Sequence, residues 1–183
     1  MTLKLSTLAI LLGLGMGLPQ IYGIVNPRNF AQALRKFPRH VPIGIALMAL
    51  ATVWFLWNLS QENISEFANY KKFLFTGFAA VGLGSCIFLQ DFIAVRGLAV
   101  VFLLLAKLMV DIGRPMLGET SWVLVIQTWA YLLVIVGMWL TVSPYRMRDW
   151  IDWITANEKR TRIGSAVRLA FGLFVALLGL TKF

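Results

Sequence analysis

Long apolar stretches alternate with short polar segments along almost the whole chain. Six stretches have roughly the 20-residue length that an apolar helix needs to cross a bilayer. These are spans one to six: Leu5–Val25, Val41–Leu59, Phe73–Leu89, Phe92–Ile112, Ser121–Val142 and Ile163–Leu180. Because six spans use about 120 residues of 183, no separate soluble domain fits in the remainder. The pattern predicts an all-α integral membrane protein, a six-transmembrane-helix bundle that forms a single polytopic membrane domain.

The first span has a second interpretation, because Leu5–Leu18 also has the length of the apolar region of a signal peptide. Such a peptide ends in small residues at an A-x-A-like cleavage site. Here Pro19 and Gln20 follow, and the chain soon becomes apolar again. We therefore predict a membrane helix kinked at Pro19, with cleavage of this span as the alternative.

The turn between spans three and four is short. Only Gln90 and Asp91 clearly separate the two apolar stretches, which predicts a very tight helical hairpin. The turn could also run as far as Gly97, in which case span four shifts to about Leu98–Leu117. The two alternatives place the charged residues of span four at different depths.

Two loops begin with the same signal for a short helix. Asn26-Pro27 follows span one and Ser143-Pro144 follows span five, and a polar N-cap before proline is a typical helix start. Apolar residues recur 4, 8 and 11 positions after each cap: Phe30, Leu34 and Phe37 in the first loop, and Met147, Ile151 and Ile154 in the second. This is the spacing of one helix face, so we predict two short amphipathic helices lying in the membrane interface.

The two loops share this pattern at an offset of 117 residues. The match permits an internal duplication in which spans 1–2 and 5–6 are parallel copies around a central hairpin. Beyond the proline, however, the identities between the loops are negligible. The alternative is that any helix beside a membrane needs a cap and an apolar face, which would produce the same pattern without a duplication.

Composition agrees with lipid as the main solvent, because 59% of the residues are hydrophobic and 14% are charged. The 17 basic and 8 acidic residues give a net charge of +9. No polar domain carries basic runs that would indicate nucleic acid, so we expect no nucleic-acid partner and assign this charge to anionic lipid headgroups. The expected interfacial anchors are Arg28, Arg35, Lys36, Arg39, Arg146, Arg148, Trp150 and Trp153.

The distribution of basic residues predicts an orientation. Loops 1–2, 3–4 and 5–6 hold ten of them, whereas the opposite face holds five. Since lysine and arginine are enriched in cytoplasmic loops, we predict that these three loops are cytoplasmic and that both termini lie outside.

Span four carries the ionisable residues that are least suited to lipid. Such a residue at the middle of a membrane helix costs at least about 2.5 kcal/mol on insertion scales, which makes it a candidate functional residue. At about 100° per residue, four of them form one narrow stripe: Arg96, Lys107, Asp111 and Arg114. We predict that Lys107 pairs with Asp111 four positions later. Arg114 could share the same carboxylate.

The stripe has two interpretations. It could line a pathway or form a buried ionic cluster, whose surplus positive charge would favour an anion or a lipid phosphate. Alternatively, its ends lie near the two interfaces, the long side chains snorkel, and Asp111 only neutralises a neighbour. Arg168, close to the basic end of span six, is expected to snorkel in the same way.

Pairs of small residues four positions apart mark expected helix contacts. In membrane helices such pairs let two backbones approach closely. The pairs are Gly13 and Gly17 in span one, Ala80 and Gly84 in span three, and Gly172 and Ala176 in span six. We expect these pairs to mark contacts between helices within the bundle in the first place, and an oligomer interface only in the second.

Residue groups that would indicate catalysis or a cofactor are missing from the sequence. One histidine, His40, cannot supply both axial ligands of a haem, and one cysteine, Cys86, cannot form a cysteine-ligated metal site. No Ser/His/Asp arrangement, P-loop or dinucleotide-binding glycine motif is present. Glu62 and Glu66, four positions apart in an outer loop, are expected to be solvated. We expect no metal and no cofactor, and the sequence favours a protein that is not an enzyme.

These features favour a non-enzymatic structural or accessory membrane protein that packs against partner helices in a larger membrane assembly. The partner could be another membrane protein or a second copy of the chain. The alternative is a small transporter or channel for an anionic solute or lipid headgroup, with span four lining the path.

Overall fold

The computed structural model describes residues 4–62 and 70–183, and every regular element in these ranges is helical. The described α-helices are numbered α1 to α8: Leu5–Val25, Pro27–Lys36, Val41–Gln61, Lys71–Phe88, Ile93–Gly113, Val123–Val142, Tyr145–Ile154 and Glu158–Thr181. Short 3-10 helices cover Phe37–Arg39 and Arg114–Gly118. Six helices, all except α2 and α7, are long and apolar enough to cross a membrane. The all-helical class and the six membrane-length helices confirm the prediction made from the hydropathy pattern.

Some helices extend beyond the apolar stretches at their polar ends. α8 begins at Glu158, five residues before the apolar stretch starts at Ile163, and α3 continues past Leu59 to Gln61. A helix requires residues with good helix propensity, which need not be apolar. Glutamate, lysine and arginine have good helix propensity. Hydropathy therefore locates the apolar part of each helix rather than its ends. α1 is continuous through Pro19.

The turn between α4 and α5 is short, as the two polar residues predict, and consists of residues 89–92. α5 begins at Ile93, directly after Phe92, whose φ of 56° lies in the left-handed region. The alternative in which the turn runs to Gly97 is wrong, because that glycine lies inside α5. Its missing side chain serves helix packing instead, since a Cβ atom there would lie 2.9 Å from the backbone nitrogen of Met48 in α3.

The chain divides into two compact units. Unit 1, described from residue 4 onward, comprises Met1–Lys36, Leu105–Val134 and Arg148–Phe183. Its apolar core is built from Leu5, Leu8, Ala9, Ala106, Met109, Val123, Ile126, Ala130 and Val175. The most extensive helix contact in this unit joins α1 and α8.

Small residues let α1 and α8 pack with their backbones close together. A Cβ atom at Gly13 would clash with the carbonyl oxygen of Gly172 and lie 2.7 Å from the nitrogen of Ala176. One turn later, Gly17 faces Leu169 and Gly172, so the two helices run antiparallel. Two of the three predicted small-residue pairs therefore meet each other inside the chain, and their faces are not available to a partner protein.

Unit 2 comprises Phe37–Leu104 and Ile135–Met147. A buried cluster in this unit consists of Val95, Ala99 and Leu140. α3 packs against α4 at a point where Gly82 leaves room for the side chain of Thr52. In the same unit, Gly44 of α3 lies directly against the start of α5. Close packing through single glycines is thus common to both units.

The third predicted small-residue pair does not pack inside unit 2, which corrects the expectation drawn from its spacing. Ala80 is exposed, and a Cβ atom at Gly84 would meet only Phe88 of the same helix, at 3.9 Å. α4 uses Gly82 for its contact with α3, and two residues along a helix point to nearly opposite sides. A Cβ atom at Gly77 would also meet nothing within 4 Å. Among the described residues, a Cβ atom at Gly77 or Gly84 would meet no other helix within 4 Å, and Ala80 is exposed, so these three residues form an uncovered face on α4.

The two predicted short helices are present as α2 and α7. α2 begins at the predicted Pro27, whereas α7 begins at Tyr145, one residue after the predicted Pro144. Their apolar faces pack against protein, because Phe30 and Ile151 are buried. Helix lengths recur around them, with 21, 10 and 21 residues in α1–α3 and 20, 10 and 24 in α6–α8. The internal duplication and the position at the membrane interface remain predictions.

Candidate functional site

The ion pair predicted on α5 forms within unit 1. Lys107 Nζ donates to Asp111 Oδ2 at 2.7 Å, and the two side chains are 43% and 48% exposed. Lys107 is the fifteenth of the 26 residues in the helical segment Ile93–Gly118, close to its middle, and Asp111 lies one turn further toward its C-terminal end. Hydrocarbon solvates ionised groups poorly. In a membrane, the surface around this pair would therefore be expected to meet protein or water.

The two arginines at the ends of the predicted stripe are not part of this pair. Arg114 is exposed in the 3-10 segment after α5, and no ion pair joins it to Asp111 among the described residues. Arg96 belongs to unit 2, where its side chain is half-buried. Its Nε is buried without a hydrogen-bond partner in the described part of the chain.

A second group of charges connects α2 with α7 in unit 1. Arg35 Nε donates to Thr155 Oγ1 at 3.0 Å, and its Nη2 donates to the Thr155 carbonyl oxygen at 3.1 Å. The same Nε lies 3.3 Å from Asp152 Oδ1. Because Thr155 directly follows α7, Arg35 provides a donor to a backbone carbonyl at the C-terminal end of that helix.

Arg28 connects α2 with α8. Its guanidinium forms an ion pair with Glu158, the first residue of α8. The hydrogen bond and the charge of Glu158 raise the pKa of Arg28 above its ordinary value. Arg28 and Arg35 are expected from the sequence to contact lipid headgroups. The structure gives both of them carboxylate partners within the protein, so they hold the short helix α2 against its neighbours.

Replacing Arg35 by alanine should lower the free energy of unfolding by about 1 kcal/mol, because it removes two hydrogen bonds and a half-exposed ion pair. Lys36→Ala is the matched control, since Lys36 is the next residue, lies in the same helix and is exposed. The control should change stability by less than about 0.5 kcal/mol. Thermal unfolding of both variants in detergent micelles measures the difference. Equal losses would mean that the contacts of Arg35 do not stabilise the protein.

The other predicted anchors differ in their surroundings. The exposed ones are Lys36, Arg39, Arg146, Arg148 and Trp153. Trp150 is half-buried. The guanidinium carbon of Arg146 lies 5.5 Å from the ring centroid of Tyr145, and Arg148 Nη2 lies 3.2 Å from Asp149 Oδ1. Contact of these side chains with lipid remains a prediction.

An apolar groove of about 410 Å³ lies along α7 and α8 in unit 1. At one end, the Arg160 guanidinium carbon lies 5.4 Å from the ring centroid of Trp153. Further along α8, Arg168 Nη1 donates to the side-chain oxygen of Gln20 in α1 at 3.2 Å. Gly164 lies midway between the two arginines in sequence and also lines the groove. The sequence reasoning named Arg168 and Trp153 separately and missed this group, although the four-residue spacing of Arg160, Gly164 and Arg168 marks one helix face.

The single histidine has a local structural role. His40 is exposed at the start of α3, and its Nδ1 accepts a hydrogen bond from the backbone N–H of Ile43 at 3.3 Å, which caps the helix. Within residues 4–62 and 70–183, no group of three or more histidine, cysteine, aspartate or glutamate side chains could hold a metal ion. Glu62 is exposed, and Glu66 lies outside the described residues.

No protein-family model matches the chain, and no significant match connects it to a curated protein or to a solved structure. Its function must therefore be inferred from the contacts and charges described above.

Proposed function

We propose that the chain is a non-enzymatic structural or accessory membrane protein that packs against other membrane-spanning helices in a larger assembly. The observation that carries this proposal is the ion pair of Lys107 and Asp111, which is half exposed within a membrane-length helix. In membranes, polar side chains act as contact points between helices, because a neighbouring helix can offer hydrogen bonds that lipid cannot. A partner helix with a polar side chain would cover the pair.

Charge compensation favours such a contact over an ion path. Asp111 lies 2.7 Å from Lys107, so the pair has no net charge with which to attract an anion. A compensated pair can still form hydrogen bonds to a neighbouring helix. The uncovered face of α4 supports the same proposal, because its small residues permit a second helix to approach closely.

A small transporter or channel for an anionic solute or lipid headgroup is the second candidate, and the position of Arg114 favours it. This exposed arginine follows Asp111 by three residues and adds a positive charge without an ion pair to Asp111 among the described residues. In that case water, rather than a partner helix, would cover Lys107 and Asp111.

Replacing both members of the pair by leucine separates the two candidates. The tagged full chain is crosslinked in its native membrane, solubilised and sized. Lys107→Leu/Asp111→Leu should reduce the crosslinked complex about tenfold, because an interhelical polar contact contributes about 1–2 kcal/mol. Lys107→Arg/Asp111→Glu is the matched control, which keeps an ion pair at the same positions and should retain the complex.

Two results would contradict the accessory function. The first is a wild-type chain that remains a monomer after crosslinking. The second is anion flux into liposomes that the double leucine variant loses while its crosslinked complex is unchanged, which would establish the transporter instead. Co-expression of two differently tagged copies identifies whether the partner helix comes from a second copy of the chain.

A further inference from the structure

The groove along α7 and α8 combines an apolar lining with two arginines. Ile163 and Val167 line it and are 64% and 63% exposed, as is Trp153 at 67%. Exposed apolar side chains of this size favour an apolar ligand over water. Arg160 and Arg168 line the same groove.

The carboxylates near this groove are already paired with other arginines. Glu158 pairs with Arg28, and Asp152 lies 3.3 Å from Arg35. Asp149, the other acidic residue on α7, pairs with its neighbour Arg148. Within the described residues, no ion pair therefore neutralises the two arginines of the groove. They are two positive charges beside an apolar surface, which is the pattern that an anionic amphiphile complements.

The side chain of Arg168 extends along α8 in the direction of Arg160. The Cα atoms of Arg160 and Arg168, eight residues apart, are separated by about 12 Å along the helix axis. Arg168 bends back over Gly164, where a Cβ atom would lie 3.2 Å from its Nη2. Gly164 lies halfway between the two arginines in sequence. Because it has no side chain, the Arg168 guanidinium has room to extend toward Arg160. Arg160 is held in turn over the Trp153 ring.

We propose that this groove binds one anionic phospholipid, whose phosphate lies between Arg160 and Arg168 and whose acyl chain covers Ile163 and Val167. A free phosphate would leave those apolar side chains uncovered, so the groove fits a lipid better than a soluble anion. Trp153 would lie at the headgroup level, where tryptophan is enriched in membrane proteins. The site lies apart from the ion pair of α5 and does not depend on the proposed assembly.

Native mass spectrometry of the purified full chain tests the site, with phosphatidylglycerol and phosphatidylcholine offered at equal concentration. The wild-type chain should retain one phosphatidylglycerol selectively. Arg160→Gln should weaken that binding about tenfold, because a charge-assisted contact is lost. Lys159→Gln is the matched control, which removes one positive charge from the adjacent exposed residue. It should change binding less than about twofold.

A second variant keeps all charges and fills the groove. Gly164→Leu should also weaken phosphatidylglycerol binding about tenfold, because it displaces the flexible end of Arg168 and occupies the space of the lipid. Its thermal unfolding curve shows whether the variant is folded. The lipid site would be overturned by equal retention of the two lipids, by equal losses in Arg160→Gln and Lys159→Gln, or by unchanged binding in folded Gly164→Leu. Displacement of the lipid by an equal concentration of glycerol phosphate would also overturn it, because the headgroup alone would then be the ligand.

Discussion

Replacing Gly13 by alanine should lower the free energy of unfolding by about 3 kcal/mol, because the added methyl group meets backbone atoms that cannot move independently. The new Cβ atom would clash with the Gly172 carbonyl oxygen and lie 2.7 Å from the Ala176 nitrogen. This clash is removed only if α1 and α8 move apart. These two helices share the most extensive contact in unit 1. Unfolding in detergent micelles, followed by circular dichroism, measures the loss.

Gly15→Ala provides the matched control in the same helix. A Cβ atom at Gly15 would meet nothing within 4 Å, so only the intrinsic helix propensity changes, which favours alanine by up to about 1 kcal/mol. This variant should be as stable as the wild-type chain or slightly more stable. If Gly13→Ala and Gly15→Ala unfold alike, the close approach of α1 and α8 is not a feature of the folded protein.

Replacing Lys107 alone by leucine should lower the free energy of unfolding by up to about 2.5 kcal/mol in a lipid bilayer, because Asp111 is then left without its cation inside a membrane-length helix. The double variant Lys107→Leu/Asp111→Leu should recover most of this loss, since it leaves no uncompensated charge. The size of the loss in Lys107→Leu also depends on whether lipid, protein or water surrounds the pair. In water an exposed ion pair contributes only about 0.5 kcal/mol.

Lys159→Leu is the control for this series, because it removes an exposed lysine from the first turn of α8. Its stability should change by less than about 0.5 kcal/mol. If Lys107→Leu loses as little stability as Lys159→Leu, water reaches Asp111. That result would contradict a pair covered by a partner helix and would favour the transporter. A double variant less stable than the single one would contradict the compensation of charge.

Residues that act together through local spacing could be identified from the sequence. Lys107 and Asp111 are four positions apart on one helix, and this spacing alone brings their side chains together. The partners of Arg35 could not be identified in this way. Asp152 and Thr155 lie more than 110 residues further along the chain, and only the folding of α7 against α2 brings them near. The groove of Arg160 and Arg168 is an intermediate case, because spacing places both on one face of α8, whereas their contacts with Trp153 and Gln20 depend on other helices.

The sequence by itself determined the helical class and the six membrane-length segments. Lipid offers no hydrogen bonds to the backbone, so a span needs about 20 consecutive apolar residues in a helix, and that requirement is visible along the chain. The sequence did not determine which helix faces meet. Gly13 and Gly17 have the same kind of spacing as Ala80 and Gly84, yet the first pair packs against α8 and the second is uncovered. Only the tertiary structure decided between them, because close packing depends on how distant segments fit together in space.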